Sequence, residues 1–159
     1  RDTIAPVVTY AGNKGSYAVD EMVQITCTAT DGGSGIASHT CADVVGPAWS
    51  FGVGQHTRSA SATDAAGNVG TGSTSFTVVV SSATLCNLTR QFVTKAGVAH
   101  SRCVKLDAAR ARAARGDTSG AAVDLTNYRN EVKAQAGKSL SSEQAATLDA
   151  LAAALAASW

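Results

Sequence analysis

Rings are scarce in this sequence: aromatic residues are 5% of its 159 positions, and only two of them are tryptophan. A sugar site needs exposed aromatic faces with polar groups to orient the ligand, so few positions qualify. Long apolar runs are missing as well. Nothing approaches the roughly 18 consecutive apolar residues of a membrane span, and the most apolar stretch, residues 150–157, reads as an alanine- and leucine-rich helix end. This sequence opens at Arg1 rather than methionine, with no basic segment or apolar leader among its first residues. The expectation is a piece cut from a longer precursor, with a further domain upstream in the same polypeptide as its immediate partner.

Catalytic signatures are absent too. The three histidines, His39, His56 and His100, form no H-x-x-x-H or H-E-x-x-H pair, and there is no G-x-S-x-G elbow, G-x-G-x-x-G turn or P-loop. A non-catalytic chain is therefore expected. No excess of charge points to a polyanion: the net charge of +1 divides into −3 over residues 1–81 and +4 over residues 82–159. The basic run Arg102, Lys105, Arg110, Arg112 and Arg115 lacks interleaved aromatics and reads as a solvated helix face rather than a nucleic-acid surface. Arg112 and Arg115 lie where cations offset a helix dipole.

What is present falls into two periods. Residues 22–30 alternate, with Val23, Ile25, Cys27 and Ala29 on one face and Gln24, Thr26 and Thr28 on the other, the pattern of a half-buried strand. Turn residues at 31–35 and 64–68 punctuate further strands expected at 6–10, 36–43, 49–53, 56–63 and 73–80. Six or seven short strands argue for an all-β sandwich over residues 1–81. Beyond Ser81 and Ser82 apolar residues recur at three and four: Leu85, Leu88, Phe92; Ala121, Leu125, Tyr128, Val132; Leu148, Leu151, Leu155. Breaks at Gly97, at 116–120 and at 137–139 leave four helices over residues 82–159. Ser141 and Gln144 offer a capping box, with Leu140 as staple.

The cysteines number four, two per half: Cys27 with Cys41, and Cys86 with Cys103. Three pairings are possible in principle. Pairing within each half closes loops of about 15 residues, each worth roughly 3 kcal/mol. None sits in a C-x-x-C unit, which argues against zinc or thioredoxin-type chemistry. The reading is two structural disulfides in an oxidising, extracellular compartment.

Asp2-Thr-Ile-Ala-Pro-Val-Val8, Ile25-Thr-Cys-Thr-Ala-Thr-Asp-Gly-Gly-Ser-Gly-Ile-Ala-Ser38, Gly54-Gln-His-Thr57 and Ala62-Thr-Asp-Ala-Ala-Gly-Asn68 together resemble bacterial immunoglobulin-like repeats of the HYR type. The likeness spans nearly all of residues 2–80. The second half, above all Leu106-Asp-Ala-Ala-Arg110 and residues 128–148, is similar to the small helical FIMAH module. These resemblances imply an α+β chain of two domains: an immunoglobulin-like antiparallel β-sandwich at 1–81 and a disulfide-stapled bundle of three to four helices at 82–159. They also imply an accessory region of a larger secreted bacterial protein, a hydrolase, acting as spacer and terminal module, with no catalytic residues to carry over. One position departs from the pattern. Positions 58, 60 and 62 share a face, and the resemblance implies valine where this chain has Arg58 and Ala60. Either Arg58 snorkels at the end of the sandwich or the inward parity shifts there.

Two sites follow as candidates. An immunoglobulin-like topology gathers the loop after the second strand, the last hairpin turn and the chain start at one end. That would bring together Asp31, Asp64, Asn68 and Asp2, oxygen donors suited to calcium; the competing reading makes each aspartate an Asx-turn at a strand end. The alternative to a spacer is a carbohydrate- or cell-wall-binding module, for which Trp49 and Trp159 are the leading residues, against a packing role for Trp49.

Overall fold

The computed structural model describes residues 2–159. The described residues form seven strands followed by four α-helices, an α+β chain. It divides into two compact units: one comprises the chain up to Tyr17 with Glu21–Val78, the other Ala18–Asp20 with Val79–Trp159. No helix among the described residues is long and apolar enough to cross a membrane.

In the first unit, β1 (Val7–Ala11), β3 (Met22–Thr30) and β5 (Val44–Pro47) form one sheet in the order β1-β3-β5. The other runs β2-β7-β6-β4, from β2 (Ser16–Ala18), β4 (Ile36–His39), β6 (Gly54–Asp64) and β7 (Val69–Val79). Alternation decides what faces inward. Val23 and Ile25 of β3 are buried while Met22, Gln24 and Thr26 between them are exposed. Val8 of β1 packs on Ala60 and Ala62 of β6, with Cys27, Ala29, Ile36 and Cys41 around them, so the two sheets share this layer. The Cys27–Cys41 disulfide joins β3 to the segment after β4. At the other end of the layer, Phe76 meets the edges of Tyr17 and Phe51, with ring centres 5.8 and 5.4 Å apart.

Where sequence and structure differ, local chemistry gives the reason. The strand expected over 36–43 ends at His39, and a separate strand begins at Val44. Residues 49–53 are not a strand: Pro47, with φ −64°, leads into a 3₁₀ turn over Ala48–Phe51 that Gly52 closes at φ 85°. The last strand starts at Val69 rather than 73, because β6 pairs with it continuously from Thr63↔Val69 to Gly54↔Val78. Gly70 and Gly72 in that strand are required by a close crossing. A Cβ on either would run into backbone, the Pro6 carbonyl for Gly70 and the Val8 carbonyl for Gly72.

The second unit holds α1 (Ser82–Phe92), α2 (Ala96–Ala113), α3 (Thr118–Ala134) and α4 (Ser142–Ala156). Each helix packs on the next, and α4 also meets α1. Leu85, Leu88, Leu106, Leu125, Tyr128 and Leu148 are fully buried between them. Capping boxes start two of the helices: Ser81 with Thr84 before α1, and Ser141 with Gln144 before α4. Gly97 does not break the chain as expected; it lies in the first turn of α2, and the interruption falls at residues 93–95. Cys86 of α1 is bonded to Cys103 of α2, 17 residues on. A loop of that size is worth about 3 kcal/mol in chain entropy.

Candidate functional site

Three aspartates converge at the turn end of the first unit. Asp2, Asp31 and Asp64 each bring one carboxylate oxygen to within 4.8 Å of the other two. Asp2 precedes β1, Asp31 follows β3, and Asp64 ends β6. Each first ties its own loop. Asp31 Oδ2 accepts the amides of Gly33 and Gly35 at 3.0 and 2.7 Å, and Asp64 Oδ1 accepts those of Ala66 and Asn68 at 2.9 and 2.8 Å. Asp2 Oδ1 takes the Ile4 amide at 3.0 Å. These are the side-chain-to-backbone turns that Asp forms readily.

The loops are then tied to one another. The Ser34 amide donates to Asp2 Oδ2 at 2.6 Å, and the Ala66 amide donates to Ser34 Oγ at 3.2 Å. Asn68 Nδ2 donates to Asp64 Oδ2 at 2.7 Å and to the carbonyls of Asp2 and Ile4, both at 3.3 Å. Asn68 thus joins the four-residue set as a donor that fastens the leading segment to the β6–β7 turn. Five of the six carboxylate oxygens already accept an N–H; Asp31 Oδ1 is the exception, buried and without a donor.

The charges respond to these bonds. Amides of Ile4 and Ser34 hold the Asp2 carboxyl below its ordinary value. Burial pushes the Asp64 carboxyl up, but the Asn68 side chain and the amides of Asn68 and Ala66 outweigh burial and leave it below its ordinary value, against the repulsion of Asp2. Asp2 and Asp64 are therefore held as anions at neutral pH. Three carboxylate oxygens are half or fewer of the six to eight that calcium takes, so this set holds a cation only with carbonyl or water oxygens added. What it does with the atoms in place is clasp two loops and the entering chain.

The two tryptophans fall in different units. Trp49 lies in the 3₁₀ turn of the first, half-buried. Trp159 in the second is 36% exposed and borders a groove with Arg110, Ala113, Ala114 and Thr118. Neither unit therefore carries both rings on one surface. His56 is engaged structurally, its Nε2 2.8 Å from the Gly52 carbonyl and its ring against Phe76, while His39 and His100 are exposed.

The basic run is not a uniformly solvated face. Arg102 is 4% exposed and donates to the Val98 carbonyl at 2.9 Å and, at 3.5 Å, to the Glu131 carbonyl near the end of α3. Lys105 pairs with Glu131 at 2.8 Å, and Arg112 with both Asp117 and Asp124 at 3.1 and 2.9 Å. Helix packing places α2 against α3, and that interface takes up charges the α2 sequence alone assigns to water.

Nothing in the sequence pattern points to Asp43, whose Oδ1 accepts the Cys27 amide at 2.8 Å beside the disulfide. Its only signal is indirect: Arg58, exposed although in phase with the buried Ala60 and Ala62 of β6, lines a cleft with it. No protein-family model, no curated protein and no solved structure matches the chain.

Proposed function

We propose that the chain is a non-catalytic accessory region of a larger secreted bacterial protein, a hydrolase: an immunoglobulin-like spacer of the HYR type, then a FIMAH-like terminal module. The observation that carries this reading is where the first unit takes in the chain and lets it go. The entering segment is fastened by Asn68 to the β6–β7 turn. The other end of β7 pairs with Gly54, at Val78. An eleven-residue strand lies between, about 33–36 Å at the rise of a β-strand. A module that takes in the chain at one end and releases it at the other serves as a spacer, and the Cys27–Cys41 disulfide with a clasped entry stiffens the unit between those ends. The two disulfides suit an oxidising compartment, where such bonds persist.

The test uses the whole chain, spin-labelled at Thr3→Cys and Val53→Cys, two exposed positions at opposite poles. The expected result is one narrow distance of about 30–40 Å, the length of the strands between them. A broad or short distribution overturns the spacer. Turnover of an ester, glycoside or peptide substrate by the same chain overturns the non-catalytic reading.

A further inference from the structure

Arg58 occupies an inward-facing position of β6, in phase with the buried Ala60 and Ala62, yet it is exposed. It lines a cleft of about 350 Å³, together with Tyr10, Thr40, Asp43, Phe51 and Ser59 among others. That volume lies within the roughly 300–1,000 Å³ range of small-molecule sites. We propose that this cleft binds a neutral saccharide. The proposal stands apart from the spacer reading and does not involve Trp49 or Trp159.

Charge argues for the class. Arg58 and Asp43 line the same cleft with opposite signs, and among the described residues neither forms an ion pair with the other or with any third group. An anion would meet Asp43 on one wall and a cation would meet Arg58 on the other. A vicinal diol suits both: its hydroxyls donate to the carboxylate and accept from the guanidinium, and such charge-assisted bonds are the strong ones. The Thr40 and Ser59 hydroxyls add polar groups at the rim, and the half-buried Tyr10 supplies an aromatic wall for the C–H face of a sugar ring.

Rigidity argues that the groups are already in place. The Arg58 guanidinium lies over the Phe51 ring, 5.9 Å from its centre, and Phe51 is itself set edge-on against Phe76. Asp43 is held by its bond to the Cys27 amide, next to the Cys27–Cys41 bridge. A ligand entering such a site does not have to order the groups that bind it.

Amide chemical shifts of the whole chain are to be followed during titration with gluco-, xylo-, manno- and N-acetylglucosamine oligosaccharides at millimolar concentration. Oligogalacturonate and free amino acids serve as the anionic and zwitterionic arms. The expected result is saturable shifts confined to residues 10, 40–45, 51 and 58–59 with at least one neutral sugar. Arg58→Lys and Asp43→Asn should each weaken that binding about tenfold or more, the loss of one charge-assisted hydrogen bond, with the melting midpoint unchanged. Asn keeps an oxygen for the Cys27 amide, so the second variant spares the fold. No shift with any neutral sugar, shifts elsewhere on the chain, or binding of only the anionic or zwitterionic probes each overturns the proposal.

Discussion

Tyr128 shows what burial does to one polar group. Its ring is fully enclosed between the helices, and its hydroxyl lies 2.7 Å from Thr89 Oγ1, which itself donates to the Leu85 carbonyl at 2.7 Å. Burial pushes the phenol up to about 12, although the Thr89 bond and the Arg102 charge pull the other way. A tyrosine raised in the folded state contributes stability that is fully present below its unfolded value near 10. That contribution is lost as pH rises through 12, at about 1.4 kcal/mol for each pH unit between the two values. Tyr128→Phe should therefore abolish an absorbance step near pH 12 in a tyrosinate titration and flatten the alkaline loss of stability. It should also cost about 1 kcal/mol at neutral pH for the missing hydrogen bond. If the step survives in the variant, the group titrating near 12 is not Tyr128. Spacing from Leu125 and Val132 is enough to place Tyr128 in the core. It does not reveal Thr89, a polar residue three positions from Phe92 that the helix packing buries.

Two glycines separate strand from helix at the scale of elements. Gly70 sits in β7 where the Pro6 carbonyl leaves no room for a Cβ, whereas Gly97 sits in the first turn of α2 with open space around it. Gly70→Ala should lower stability by roughly 1–3 kcal/mol, the usual cost of overpacking. Gly97→Ala should raise it by about 0.5–1 kcal/mol through helix propensity. Urea unfolding of the two variants reads both signs, and a stabilised Gly70→Ala would mean that β1 does not cross there. The same pair marks how far a sequence can be read. Period two and period three-to-four separate strands from helices because alternation and amphipathicity are local. Gly97 reads as a break because an isolated glycine looks the same inside a helix as between two. The 3₁₀ turn after Pro47 escapes for a similar reason: a short apolar stretch has no period long enough to distinguish it from a strand. The acidic end is legible because Asp and Asn at turn positions announce themselves. The cleft is not, since it is assembled from residues far apart in the sequence, Tyr10, Asp43 and Arg58 among them.

Across the whole molecule four carboxylates, two in each unit, are displaced the same way. Hydrogen bonds hold Asp2 below its ordinary value, and for Asp64 they outweigh burial to the same effect; the Gly120 amide and Arg112 do so for Asp117, and Arg129 with Lys133 for Asp149. A carboxyl lowered in the folded state contributes stability that is present above its unfolded value, near 4, and lost as pH falls through the folded one. With Tyr128 setting the alkaline side, stability should be flat from about pH 5 to 9 and fall outside it. The first unit offers the sharper test, because its three carboxylates sit together. Asp64→Asn keeps an acceptor for the Ala66 and Asn68 amides but removes the charge, so it should lower stability at neutral pH and reduce the further loss on going to pH 3. Near-ultraviolet signals from the β unit during urea unfolding at both pH values measure this. An unchanged difference between the two pH values would show that Asp64 is not an ionised clasp. The same carboxylates address calcium. Because backbone amides and Asn68 already hold five of their six oxygens, the melting midpoint should be equal in millimolar Ca²⁺ and in chelator. A midpoint that rises with Ca²⁺ and no longer does so in Asp64→Asn would make the aspartates cation ligands, and the clasp a joint that calcium stiffens.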